Sequence, residues 1–98
     1  MANKLNHEDK KNFISAQTKN GWQYIKENDS IYKKFEFKNF VDAFSWMTKV
    51  ALFAEKINHH PEWFNVYSTV EVTLSTHDAG GVTNLDLDMA REMNQKSK

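Results

Sequence analysis

The sequence has no cysteine, one proline and three glycines in its 98 residues. Without cysteine there is no disulfide framework, no thiolate nucleophile and no cysteine-ligated zinc site. So few prolines and glycines exclude a collagen-like or low-complexity chain. An excess of either charge is also missing, since thirteen Lys and Arg balance thirteen Asp and Glu. No net field therefore draws in nucleic acid or an anionic membrane. No apolar run approaches the roughly 20 residues that a membrane span needs. Met1–Lys11 is polar and lacks the apolar region of a secretion signal. A cytoplasmic protein is expected, with neither membrane nor direct nucleic-acid contact.

What remains is a folding composition, 40% hydrophobic and 13% aromatic. The length allows a single domain over residues 1–98. A chain of this size buries only about 60–70% of the surface it exposes when unfolded, so a full core and an enclosed pocket compete for the same residues. There is no repeat, linker or low-complexity stretch. Only Met1–Lys4 and about 94–98 read as loose ends.

Local signals order the chain. Asn6 caps a first helix, with Asp9 at its third position and Phe13, Ile14 and Ala16 on its apolar side. Gly21 suits the position past its end. Trp22–Lys26 reads as a strand and residues 27–30 as a turn. Ile31–Phe37 is the partner strand, with Ile31, Phe35 and Phe37 on one face. Asn39 opens a second helix, with Asp42 completing a capping pair. That helix runs to about Asn58, because His60 precedes Pro61 and is pushed out of helical geometry.

This long helix carries two apolar stripes. Phe40, Phe44, Met47, Ala51 and Ala54 form one. Trp46, Val50, Phe53 and Ile57 form the other, about 100° away. One stripe suffices to cover a sheet. The surplus predicts either a subunit interface, giving a homodimer or homotetramer through residues 39–58, or cover from the first helix. Beyond Pro61, Trp63–Tyr67 reads as a short strand. Thr69–Thr76 alternates, with Val70, Val72 and Leu74 inward and Glu71, Thr73 and Ser75 outward. Gly80-Gly81 is a turn. Thr83 caps a last helix with Asp86 three residues on, and Leu85, Met89 and Met93 are assigned to its buried side. The order α-β-β-α-β-β-α predicts a two-layer α+β fold: a four-stranded antiparallel sheet with helices on one face.

Histidine is the residue type suited to chemistry here. His7 reads as a solvated first-turn residue. His59 and His60 lie where the long helix gives way to extended chain, and His77 where the last strand meets the glycine turn. If those two element ends are neighbours, three imidazoles come together. An unperturbed imidazole titrates near pH 6.5 and both gives and takes protons at neutral pH. The plain alternative is three surface or turn histidines unrelated in space. A zinc site formed with Glu55 or Asp78 is a weaker reading, because adjacent histidines rarely reach one ion and the HExxH spacing is absent. Glu55, one turn before His59, is placed to orient an imidazole or to bind a ring nitrogen. Of Trp63 and Phe64, one reads as core and the other as cover for a flat ligand. Asp86 reads first as the capping-box partner of Thr83. Dinucleotide, P-loop and nucleophile-elbow motifs are absent. The aromatic residues are not interleaved with a basic patch, which argues against single-stranded nucleic acid.

The block Glu55-Lys56-Ile57-Asn58-His59-His60-Pro61-Glu62-Trp63-Phe64-Asn65-Val66-Tyr67 is followed by Val70, Leu74 and Thr76-His77-Asp78-Ala79-Gly80-Gly81-Val82-Thr83 through Asp86. This closely resembles the pterin-4a-carbinolamine dehydratase family. The likeness extends upstream through Phe35-Glu36-Phe37 and Phe40, and weakens before Trp22.

The resemblance implies removal of water from 4a-hydroxytetrahydropterin to give the quinonoid dihydropterin, without metal or other cofactor. That reaction recycles the pterin cofactor of aromatic amino-acid hydroxylases. It implies His59, His60 and His77 as catalytic, and Glu55, Pro61, Trp63, Thr76 and, less directly, Asp86 as substrate-binding. Many members form dimers or tetramers. A second role, as a helix-mediated dimerisation cofactor of a transcription regulator, belongs to some animal members; it would make the nucleus a second location. Animal members often carry Asp where this chain has Asn58, so that carboxylate is missing here.

Overall fold

The computed structural model describes residues 5–98. The loose end expected at Met1–Lys4 and the solvated side chain expected for His7 lie outside the described residues. Helix α1 is His7–Thr18, strand β1 Gln23–Ile25, strand β2 Ser30–Glu36 and helix α2 Phe40–Ile57. Strand β3 is Glu62–Val66, strand β4 Thr69–Leu74 and helix α3 Asn84–Lys96. Single 3₁₀ turns occupy Lys26–Asn28 and His77–Ala79. The four strands form one antiparallel sheet in the order β1-β2-β4-β3. The fold is α+β in the expected order.

The expected helix starts carry their caps. Asn6 Oδ1 accepts from Asp9 N at 2.8 Å, and Asn39 Oδ1 from Asp42 N at 2.8 Å. Thr83 and Asp86 form a reciprocal capping box at α3. Each satisfies backbone donors that a helix start leaves without partners. Gly21 follows α1 with φ +91°, a conformation that costs glycine little. A Cβ there would also press on the Lys33 stem, 3.2 Å away.

Strand alternation sorts the sheet. Ile31 pairs with Leu74 and Phe35 with Val70, and all four side chains face the helices. Lys33, between Ile31 and Phe35, shares that face. Its ammonium lies 4.4 Å from the Phe35 ring centroid and donates to Asn20 O and Asn94 Oδ1. Burial pushes its pKa below the ordinary lysine value. A lysine stem often covers apolar surface while its head stays polar, and hydrophobic patterning alone does not mark it.

Helix α2 lays Ala43, Trp46, Val50 and Ala54 against this face, beneath Met89, Ala90 and Met93 of α3. Trp46 Nε1–H donates to Met93 O at 3.1 Å and ties the two helices together. The second stripe is therefore covered by the sheet and α3, while α1 packs beside β1. From the first stripe, Phe40 and Phe44 stay exposed, joined by Val41 and Leu52, which is 70% exposed. Leu85 corrects the expectation for α3, since it is half-exposed. The buried stripe is Asp86, Met89, Ala90 and Met93, spaced i, i+3, i+4, i+7, and its first member is a carboxylate.

Candidate active site

The site begins at the end of α2. Asn58 takes the left-handed conformation, φ 52° and ψ 47°. Its N–H bonds Glu55 O and the N–H of His59 bonds Ala54 O, so the helix closes in a Schellman turn. Asparagine tolerates this conformation well, which gives Asn58 a backbone role. The turn drives His59 into the protein, where only 8% of it remains exposed.

There His59 meets Asp86. Nε2–H of His59 donates to Asp86 Oδ1 at 2.6 Å. The other carboxylate oxygen accepts from Thr76 Oγ1 at 2.8 Å and from Thr83 N at 2.9 Å. The Thr76 and Thr83 hydroxyls lie 2.7 Å apart. Since Thr76 gives its proton to Asp86, the Thr83 hydroxyl donates to Thr76 and accepts from Leu85 N. This proton ledger closes with Asp86 purely an acceptor. The loop after β4 brings the two threonines together: Thr76 N bonds Gly81 O at 2.8 Å, and Gly80 turns the chain at φ +73°.

A carboxylate on Nε2 fixes the tautomer of a neutral ring, leaving the lone pair on Nδ1. Among the described residues every buried side-chain nitrogen or oxygen has a partner, and His59 Nδ1 bonds to none, so it reaches solvent. The other two histidines carry the same motif on the surface. His60 Nε2–H donates to Glu55 Oε2. His77 Nε2–H donates to Glu62 Oε1 at 2.9 Å.

Chain bonds and hydrogen bonds together close a circuit. It runs from His59 through His60 and Pro61 to Glu62, across to His77, along the chain to Thr76, then through Asp86 back to His59. The exit of α2 and the end of β4 are thus neighbours, and all three histidines lie on the circuit. They do not line one cavity. A cleft of about 290 Å³ is bordered by Glu62, Thr73, Ser75, Thr76, His77 and the Gly80-Gly81 turn, with His59 and His60 outside it. Among the described residues no three His, Asp or Glu side chains are grouped to hold a metal ion.

Glu55 orients His60 and not His59, because the left-handed turn at Asn58 carries His59 away from the α2 surface. Asp86 is fully buried with both oxygens engaged by protein groups, one of them by His59. Trp63 lies half-buried on the helix side, 6.1 Å from the Trp46 ring, while Phe64 faces the open side of the sheet. Thr76 is buried and Pro61 half-buried. Glu62 and Thr83 were not singled out as site residues. Their parts depend on the β3–β4 register and the turn after β4, which leave no local pattern.

Fold and side-chain pairs together define a small α+β protein with histidine–carboxylate pairs suited to moving protons. Residues 3–96 match the pterin 4 alpha carbinolamine dehydratase family. The chain belongs to that family, whose reaction is that of a hydro-lyase. It is 50% identical over 95 residues to a protein of Jannaschia sp., covering 97% of each chain. It is 52% identical over 98 residues to one of Bradyrhizobium diazoefficiens, covering all of this chain and 96% of that one. Both relatives are assigned by name as pterin-4-alpha-carbinolamine dehydratases. A crystal structure from Brucella melitensis, described as a transcriptional coactivator/pterin dehydratase, superposes with a TM-score of 0.92 at 45% identity. That match covers 98% of this chain and 100% of that one.

Proposed function

We propose that this chain dehydrates a 4a-hydroxytetrahydropterin to the quinonoid dihydropterin by histidine acid/base catalysis, working in the cytoplasm. Family membership supports the reaction, and the His59–Asp86 pair carries the mechanism. The substrate bears a hydroxyl and a nitrogen on one ring carbon. Its C–O bond breaks as the hydroxyl takes a proton and leaves as water; the adjacent nitrogen gives up a proton and its electron pair forms the C=N bond. Both transfers need groups poised near neutrality.

Asp86 holds the Nε2 proton of His59 and leaves Nδ1 as the base. His60, its Nε2–H held by Glu55, is the acid toward the hydroxyl: as the imidazolium it gives up the proton on Nδ1. His77 holds the ring or shares the acid role, and Thr76 supports Asp86 from below. Pro61 and Trp63 shape the rim. The test is steady-state dehydration of the carbinolamine by purified protein. His60→Ala and His77→Ala are each expected to lower kcat by about 10²-fold. Both variants staying within twofold of the parent would refute the scheme.

The uncovered face of α2 supports self-association as a homodimer or homotetramer. Phe40, Val41, Phe44 and Leu52 make an apolar stripe of the kind that marks contact surfaces. A Phe44→Glu, Leu52→Glu variant is expected to run as a monomer in light scattering while the parent runs as an oligomer. An unchanged mass would place the interface elsewhere. The same face is what a dimerisation cofactor of a transcription regulator would use. That second reading predicts partner binding that survives loss of turnover in His60→Ala.

A further inference from the structure

We propose that Glu62 is a positioning residue for His77, fixing the ring's tautomer and orientation for the reaction proposed above, on which this inference rests. His77 sits on a single 3₁₀ turn, outside the sheet, with 78% of its side chain exposed. No packing holds its rotamer, in contrast to the buried His59. Its hydrogen bond, Nε2–H to Glu62 Oε1 at 2.9 Å, is its one side-chain contact of this kind among the described residues.

The backbone delivers Glu62 to that place. Pro61 fixes its own φ just before β3 begins. The β3–β4 register then sets Glu62 opposite Thr73. Thr73 and Ser75 share the open face of the sheet, and the same alternation leads to His77. All four residues border the same cleft.

A carboxylate can only accept, so a proton stays on Nε2, and Nδ1 is left for the cleft, as a lone pair in the neutral ring and as a second N–H donor in the imidazolium. His59 and His60 are held in the same way, by Asp86 and Glu55. Each of the three imidazoles is thus held through Nε2 by a carboxylate, with Nδ1 left for other partners, and Glu62 completes the set. A hydrogen bond between side chains this exposed adds little to stability, which separates its effect on turnover from any effect on folding.

The test uses the full chain with Glu62→Ala and Glu62→Gln. Glu62→Ala is expected to lower kcat about tenfold, a part of what a proton-transfer group supplies, with KM within twofold and an unchanged denaturation midpoint. Glu62→Gln keeps an amide oxygen that accepts from Nε2–H, and is expected to recover most of the loss. Nitrogen-15 shifts of the His77 ring should report the Nε2–H form in the parent and in Glu62→Gln, and a mixture in Glu62→Ala. An Ala variant with parental kcat, a loss confined to KM, or ring shifts indifferent to residue 62 would each overturn the proposal. A parent protein without turnover would instead sink the dehydratase reading, while the ring shifts would still decide whether Glu62 sets His77.

Discussion

Asp86→Asn is expected to lower kcat by about 10³–10⁴-fold while leaving the protein folded, the scale seen when a triad histidine is held in the wrong tautomer. Thr76 Oγ1 and Thr83 N both aim at Asp86 Oδ2, at 2.8 and 2.9 Å. The one oxygen of an asparagine must take that position, because both donors are buried and costly to strand. Its NH₂ then faces His59 Nε2 in place of the carboxylate oxygen. His59 must offer a lone pair there and move its proton to Nδ1, which removes the proposed base. The capping box survives in part, since the amide oxygen still accepts from Thr83 N. Asp86→Ala removes the acceptor from all three donors and is expected to cost about 3–5 kcal/mol of stability, as when one member of a buried pair is deleted. Steady-state kinetics beside urea denaturation separate the two effects. A kcat for Asp86→Asn within tenfold of the parent would show that His59 Nδ1 is not the base.

Asp86 also shows how far the sequence could be read. Its place in the Thr83 capping box was legible, because caps are local and their spacing is fixed. Its second duty was not, because His59 is 27 residues away and arrives only through the turn at Asn58. A signal was nevertheless present. Position 86 begins the apolar stripe continued by Met89, Ala90 and Met93, and a carboxylate on a core stripe requires a buried partner. Element order and the β4 alternation were legible for the same local reasons. Glu55 was read as placed to orient an imidazole, but which one was not legible, because the left-handed turn at Asn58 sends His59 inward and leaves His60 beside Glu55. The two stripes of α2 were seen, but which one faced the core depended on where α3 lay. Glu62 had no local signature at all, since an isolated glutamate opening an edge strand is ordinarily solvated.

Trp46→Ala is expected to destabilise the protein by about 3–5 kcal/mol, the range for truncating a buried large aromatic. A domain of this size holds only about 5–15 kcal/mol in total. The Trp46 ring lies 4.5 Å from Phe35, 5.2 Å from Phe37 and 6.1 Å from Trp63, centroid to centroid. Its N–H bridges α2 to the last turn of α3. Removing it opens a void where both helices meet the sheet, and none of the rings around it is free to collapse inward without leaving its own partners. Trp46→Phe keeps most of the contact and loses the bridge to Met93 O, which still accepts from Ser97 N. Its expected cost is nearer 1–2 kcal/mol, roughly one hydrogen bond and a little area. The void would reach the site through Trp63, the β3 residue next to Glu62. Trp46→Ala should therefore also loosen the Glu62–His77 pair, visible as a mixed tautomer at His77 under conditions where the variant is still folded. Urea midpoints at constant m-value give the stability change. A cost below about 1.5 kcal/mol for Trp46→Ala would mean that the core relaxes around the void, far from the cavity-leaving end of the range. The rigid path from α2 to the histidine rim would then not exist.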